Sequence, residues 1–390
     1  MKRMTCPSFE RCGACRWLDC AYAEQLVRKR DAVARAFRAA GLRVNVREVC
    51  GMEEPFHYRN KVIAAVSMQG SRVVCGLYEE WSHRVVPVSD CLLQDRRLNA
   101  VLGTLTELLN RLKIKPFGYG GVLRHILLRV GVRTGQVMVV LVTSEELMHG
   151  RKELLSCLRA AHPEVATVVQ NIQPRQTSVV LGPREKVLFG PGFIYDELLG
   201  LRYKISARSF YQVNPVQTER LYGLALSEAG LRPGETLLDA YCGIGTIGLS
   251  AAAALAREQK DADLKTGGVI GVEINGDAVR DAVANARANG IRNARFYCDD
   301  VSAFMRDFDV PVNVLMLDPP RAGCDEPFLR SALRLSPERI VYVSCNPETQ
   351  ARDVAFLIRG GRYRIASDAC PVDMFPHTGH IENVLALRRG

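Results

Sequence analysis

Hydrophobic and polar positions change their rhythm twice along the chain. Over residues 22–40 the apolar Leu26, Val33 and Phe37 recur at helical spacing among Arg28, Lys29, Arg30, Arg35 and Arg38, and Gly41 ends the run. Over 48–214 the pattern shortens into β-like stretches at 62–67, 73–77, 126–132 and 137–143, punctuated by glycine and polar turns. One helical segment, 145–161, interrupts them. From residue 215 apolar strands at 236–241, 269–274, 294–298, 312–318, 339–345, 364–369 and 383–388 alternate with helices at 247–258, 277–289, 326–335 and 348–359. That alternation predicts an α/β fold with a parallel, doubly wound sheet. Ligands of such sheets bind beyond the carboxyl ends of the strands, so residues that end strands are the ones to inspect.

Composition narrows the class. With 390 residues, 47% of them hydrophobic and 24% charged, the chain is neither disordered nor fibrous. Its length suits two or three domains, and three textures give 1–47, 48–214 and 215–390. The first residues, Met1 to Pro7, are basic but have no apolar stretch behind them, so no secretory leader is expected. The longest small-apolar run, 250–256, is far too short to span a bilayer. A soluble, cytoplasmic protein follows. Half of the net charge of +10 lies in residues 1–60, which hold 12 Lys and Arg against 7 Asp and Glu. Such an excess favours an anionic partner, and nucleic acid is the common one. Thirteen cysteines in a reducing compartment should serve as metal ligands or catalytic groups rather than disulfides.

Six segments carry candidate chemistry. The first strand of the C-terminal region runs into Asp239-Ala-Tyr-Cys-Gly-Ile-Gly245, where Gly243 and Gly245 allow a tight turn and close approach of a ligand. The second strand ends at Glu273, where a carboxylate would meet a ribose diol. A dinucleotide or S-adenosylmethionine would suit this pair. The fourth strand ends in Asp318-Pro-Pro-Arg321, a rigidly held carboxylate able to accept from a planar ring N–H. The fifth ends in Ser344-Cys-Asn-Pro347 as a helix begins, and a thiol at a helix start is expected to have a lowered pKa and to act as a nucleophile. Before the last strand, His377, His380 and Glu382 could form a metal site or supply a general base. Near the N-terminus, Cys6, Cys12 and Cys15 need a fourth partner, either Cys20 or Cys91, to make a structural zinc or 4Fe-4S site.

Together with Phe210-Tyr-Gln-Val-Asn-Pro215, these segments resemble the RNA 5-methyluridine (uracil-C5) methyltransferases over nearly the whole chain. The resemblance implies a class I, Rossmann-like methyltransferase domain, a β-rich central RNA-binding domain and an N-terminal iron-sulfur segment. It implies S-adenosylmethionine as cofactor, with Gln212, Tyr241, Gly243, Gly245, Glu273, Asp300 and Asp318 on the cofactor side. It implies a 4Fe-4S cluster on Cys6, Cys12, Cys15 and Cys91, typical of members that act on 23S rRNA. It therefore points to 23S rRNA, unfolded or partly assembled, as partner, with no membrane and no obligatory protein partner. Many rRNA members begin with a further small β-barrel, whereas here the sequence starts at the cysteines.

The chemistry calls for these residue types independently. Uracil C5 is too weak a nucleophile to accept a methyl group unaided. A thiolate adding to C6 creates an enolate-like ring with electron density at C5, and after methylation a base must remove the C5 proton so that the thiolate can leave. Cys345 is expected as nucleophile, Glu382 as base and Asp318 as the group that orients the ring. An adenine amino-methyltransferase would carry an aromatic residue where Arg321 stands, and would leave Cys345 without a role. An RNA-binding protein with a relic methyltransferase fold would have no need of Cys345, Asp318 and Glu382 together.

Overall fold

The computed structural model describes residues 6–258 and 267–390; residues 1–5, part of the leader argument, lie outside this range. A short helix, α1 (Phe9–Cys12), precedes the long basic helix α2 (Tyr22–Ala39). The central region follows as β1 (Lys61–Gln69), β2 (Arg72–Tyr78), β3 (Val85–Pro87), α3 (Arg96–Arg111), β4 (Leu123–Val130), β5 (Val137–Thr143), α4 (Arg151–Ala161), β6 (Val165–Ile172) and β7 (Arg184–Phe189). Its sheet has the order β3-β2-β1-β4-β5-β6-β7. Only β5 and β6 run parallel, because α4 carries the chain across between them. Leu98, Val101, Leu102, Leu105 and Leu109 of α3 and Leu154 and Leu158 of α4 bury one face of this sheet. The sequence reading gave α4 but passed over α3, whose Asp95 caps its first turn by accepting from Arg97 N at 2.9 Å.

A hairpin, β8 (Phe193–Leu198) and β9 (Leu201–Ser206), and helix α5 (Pro215–Ala229) lead into the C-terminal region. There the elements are β10 (Thr236–Ala240), α6 (Thr246–Glu258), β11 (Gly268–Glu273), α7 (Gly276–Ala288), β12 (Ala294–Cys298), α8 (Val301–Asp307), β13 (Val314–Leu317), α9 (Glu326–Leu335), β14 (Arg339–Ser344), α10 (Pro347–Ile358), β15 (Tyr363–Ile365), β16 (Cys370–Val372) and β17 (Glu382–Arg389). The sheet order is β12-β11-β10-β13-β14-β17-β15, with β16 also pairing β17. Strands β10 to β14 are mutually parallel, as expected. The last strand is not. β17 runs antiparallel to β14, with Ser344 opposite Asn383. Because β17 is reversed, its first residue, Glu382, lies at the same edge as the carboxyl ends of β13 and β14.

Two apolar layers cover the C-terminal sheet. On one side Leu221, Tyr222 and Ala225 of α5 pack with Ile194 and Tyr203 of the β8–β9 hairpin and with Val341 and Val343 of β14. On the other, Val33 and Phe37 of α2 pack with Leu315, Phe328, Tyr342 and Leu357. The basic helix is thus a brace on the C-terminal sheet. Lys29, in the middle of its basic run, points inward and is fully buried in an ion pair with Asp373, Nζ to Oδ1 2.6 Å.

Candidate active site

The parallel register aligns the strand ends. Val272, Ala240 and Leu317 lie side by side in β11, β10 and β13, so the next residues, Glu273, Tyr241 and Asp318, form one row at the edge. Cys345 follows β14 directly, and the antiparallel pair Ser344–Asn383 brings Glu382 beside it. All five line one cavity of about 980 Å³, together with Gln212, Asp239, Gly243, Thr246, Arg321 and His380. Its far wall is Ala14, Arg59, Cys91 and Gln94, so the cysteine-rich segment borders the same space.

One end of the cavity is built for a nucleoside-like ligand. Tyr241, Gly243 and Gly245 have φ of 66°, 55° and 81°, a left-handed turn that glycine adopts without cost and tyrosine adopts under strain. Space beyond Gly243 Cα is open to at least 4 Å, whereas a Cβ on Gly245 would press on the Phe296 ring at 3.0 Å. Gly243 therefore gives a ligand access, and Gly245 gives the loop close packing. The Glu273 carboxylate accepts from Gly243 N at 3.1 Å and from Asn275 N at 2.8 Å. Asp239 Oδ2 accepts from Gly248 N at 2.8 Å, while its Oδ1 is buried without a partner. Burial raises the Asp239 carboxyl to about 8. Ile274, 68% exposed, offers an apolar platform beside Glu273 that the sequence reading did not single out.

The other end holds three acids. Burial raises Asp318 to about 7. Burial, and then the charge of Asp318, raise Glu382 well above the usual carboxylate range. The Cys345 thiol corrects an expectation. It is pushed up to about 11, by burial first and then by the carboxylates of Glu382 and Asp318, with Arg321 pulling the other way. The helix start does not lower it because Asn346 is the cap. Asn346 Oδ1 accepts from Glu348 N at 3.1 Å, and Cys345 stands one residue outside the helix.

Not every expected residue reaches the cavity. Asp300 is the N-cap of α8, where it accepts from Ala303 N at 2.9 Å, and it is not among the cavity-lining residues. His380 lines the cavity 3.3 Å from Arg321 Nη1, through Nδ1. His377 is buried elsewhere, at φ 66°, stacked on Phe56. Among the described residues no group of three or more His, Cys, Asp or Glu could hold a metal ion. A metal on His377, His380 and Glu382 is not shown, and His377 lies outside the cavity that the other two line. The iron-sulfur site expected on Cys6, Cys12, Cys15 and Cys91 is likewise not shown. These four do approach one another: the charges of Cys6, Cys91 and Cys12 join burial in raising Cys15 to about 12. Cys20 takes no part, its neighbours being Glu24, Arg28 and Asp19. Arg59 and Lys61 also line the cavity, and burial lowers Lys61 to about 8. Both sit where β1 begins, just before the strand read from the sequence at 62–67, and the sequence reading assigned neither a role.

The family model for tRNA (uracil-5-)-methyltransferases matches residues 21–390. The chain belongs to this family. An uncharacterised RNA methyltransferase of Halalkalibacterium halodurans is 42% identical over 98% of this chain and 82% of its own length. One from Listeria monocytogenes is 40% identical over 98% and 83%. Among solved structures, the Pyrococcus abyssi tRNA (uracil-54, C5)-methyltransferase in complex with S-adenosyl-L-homocysteine superposes with a TM-score of 0.75 at 29% identity, covering 94% of this chain and 83% of that one. An enzyme of RNA methylation with an α/β methyltransferase fold is therefore established. Among the described residues no helix is long and apolar enough to cross a membrane.

Proposed function

We propose that this family member uses S-adenosylmethionine to methylate C5 of a uridine in 23S rRNA in the cytoplasm, through a covalent Cys345–C6 adduct. The observation that carries the reading is the meeting of Cys345, Glu382 and Asp318 in one cavity with the Tyr241–Gly245 turn. The turn, the open approach at Gly243, the orphaned Asp239 Oδ1 and the apolar Ile274 fit a nucleoside-bearing cofactor, as does the S-adenosyl-L-homocysteine in the Pyrococcus neighbour. Gln212, Tyr241, Gly243 and Glu273 would hold it, with Gly245 shaping the loop. S-adenosylmethionine supplies an electrophilic methyl group. Cys345 adds to C6, Asp318 takes the uracil N3–H, and Glu382 removes the C5 proton so that the C6–S bond breaks and its electron pair returns to sulfur. Arg59, Lys61 and Arg321 place three cations around the cavity, where phosphates flanking the uridine would pass.

Within this reading residues 48–214 bind RNA, 215–390 carry out the transfer, and 1–47 supply Cys6, Cys12 and Cys15 to a 4Fe-4S cluster whose fourth ligand is Cys91 of the central segment. Support for the cluster is the donor set: four free thiols, three of which act by charge on the fourth, Cys15. The same cysteine set favours rRNA. A second reading, a tRNA substrate, is favoured by the Pyrococcus neighbour. Incubation with labelled cofactor and separate rRNA and tRNA pools decides between them by which pool takes label as 5-methyluridine. Glu382→Gln tests the mechanism: the methylated adduct should persist, leaving RNA attached to the protein on denaturing gels. Wild-type product formation without such a species would remove Glu382 from its role.

A further inference from the structure

Glu382 is not held by the C-terminal sheet alone. It pairs with Val372 in the short β16–β17 ladder, and between them residues 373–381 form a strap that every complete turn of the reaction depends on for the placing of its base. Helix α5 holds its start, Asn214 Nδ2 donating to the Met374 carbonyl at 3.1 Å and Gln217 Nε2 to the Asp373 carbonyl at 3.0 Å, and most of its other fixed points come from the first sixty residues. Lys29 Nζ donates to Asp373 Oδ1 at 2.6 Å and to the Phe375 carbonyl at 3.1 Å. The Tyr22 hydroxyl donates to Asp373 Oδ2 at 2.9 Å. Tyr58 Oη donates to the Pro376 carbonyl at 3.0 Å. His377 N donates to Gln25 Oε1 at 2.9 Å, and Trp17 N donates to the His377 carbonyl at 3.1 Å. Gln25 Nε2 in turn donates to the Trp17 and Cys20 carbonyls at 2.8 and 2.9 Å. The Trp17 ring lies against Gly379, where a Cβ would come within 3.4 Å of it.

Several of these groups are costly to bury, and Lys29, Gln25, Trp17, Asp373 and His377 do not line the cavity. Lys29 and Asp373 are both fully inaccessible. A buried ion pair adds little net stability over an apolar pair, yet it specifies one geometry because any other leaves a charge unpaired. His377 is held at φ 66°, and burial lowers its imidazole to about 4, so it is a neutral hydrogen-bonding group here. Non-glycine residues in that backbone region persist only where the surroundings over-determine them. The strap is therefore held in a set conformation by the N-terminal segment.

We propose that Lys29, Gln25 and Trp17 are positioning residues for the proton-removal step, the N-terminal segment acting as a clamp on the strap that ends in Glu382. Loosening the clamp leaves attack by Cys345 and methyl transfer intact, because Cys345 and Asp318 directly follow β14 and β13 and are carried by those strands. It slows loss of the C5 proton. This rests on the reading of Glu382 as the base, and RNA containing 5-fluorouridine separates the two ideas. With fluorine at C5 there is no proton to remove, so the methylated adduct remains on Cys345 whether or not a base is in place. With ordinary uridine RNA, product release requires Glu382.

The experiment uses the full chain, S-adenosylmethionine and both RNAs, with Lys29→Met, Trp17→Ala and the double variant Lys29→Met/Asp373→Asn. The double variant removes both buried charges together, so that neither is left unpaired if the single change unfolds the protein. Each variant should trap 5-fluorouridine RNA within about twofold of wild type, while product formation on ordinary RNA falls by about ten- to a hundredfold, the scale of small misplacements at a reacting centre. Covalent protein–RNA species should accumulate during that slowed turnover. Equal loss of trapping and turnover in the folded variants, or no loss of either, overturns the clamp. Failure of the wild-type protein to trap 5-fluorouridine RNA overturns the covalent reading instead.

Discussion

In the free protein Cys345 is a reluctant nucleophile, and its reactivity can be worked out beforehand. Its thiol is raised to about 11 by burial and by the neighbouring Glu382 and Asp318. At about pH 8 such a thiol is ionised in roughly one molecule in a thousand, against about a quarter of an ordinary cysteine. A more basic thiolate is intrinsically more nucleophilic, which returns roughly tenfold, so alkylation should be about twentyfold slower than for a cysteine in a short peptide. The assay is the iodoacetamide rate at Cys345, followed by mass spectrometry of its peptide across a pH series. The rate should keep climbing beyond the pH at which the peptide levels off. Glu382→Gln, which removes the anion with the larger effect on the thiol, should speed labelling, and Arg321→Gln, which removes the nearby cation, should slow it. A Cys345 that labels as fast as the peptide would refute the reasoning, because burial and two carboxylates could not then be dominant.

The C-terminal region was largely legible because its signals are local. The strand predicted at 294–298 and the helix at 326–335 coincide with β12 and α9, and the strand-end residues Tyr241, Glu273, Asp318 and Cys345 all reach the cavity. Hydrophobic runs bounded by Gly and Pro, with an acid or thiol at the boundary, carry that information in a few residues. What failed depends on partners far away. Asp300 is a separate case: it caps α8 through Oδ1 and is not among the cavity-lining residues, although its charge acts on Tyr241. Cys345 was assigned a lowered pKa from its helix alone, when the carboxylates that raise it sit on two other strands. The reversal of β17 leaves no mark in its own residues, since a buried strand reads alike in both directions, yet that reversal delivers Glu382. His377 looked chemical by composition and is instead a buried residue at φ 66°, stacked on Phe56 in the strap before Glu382. Helix α3 did leave a mark, Asp95 followed by leucines at helical spacing, and was lost among its β-rich neighbours. So was α5, announced by Asn214 as cap and Pro215 at its first turn.

Two further outcomes follow from the site. Cys91→Ser should lose iron from anaerobically purified protein and Cys20→Ser should retain it, since Cys91 is among the thiols that raise Cys15 and Cys20 is not; iron kept by the first and lost by the second reverses the assignment. Asp239→Asn should make the protein less sensitive to alkali. The Asp239 carboxyl is held at about 8 in the folded chain, against about 3.9 when unfolded. Between those values the folded state binds the extra proton, so stability falls as pH rises through the interval and levels off above it. At about 1.4 kcal/mol per pH unit, the loss is on the order of a few kcal/mol once partial relaxation of the site is allowed for. Asparagine keeps an oxygen to accept from Gly248 N and carries no charge, so that loss disappears. Asp318 and Glu382 have the same sign and remain in both proteins, which makes the difference between variant and wild type the quantity to read. Thermal unfolding at about pH 5.5 and pH 8.5 should show the wild-type Tm falling more than that of Asp239→Asn, with the variant the more stable at the higher pH. Equal falls in both proteins would mean that the Asp239 carboxyl is ionised in the folded chain at little cost, so that the orphaned Oδ1 already has a partner.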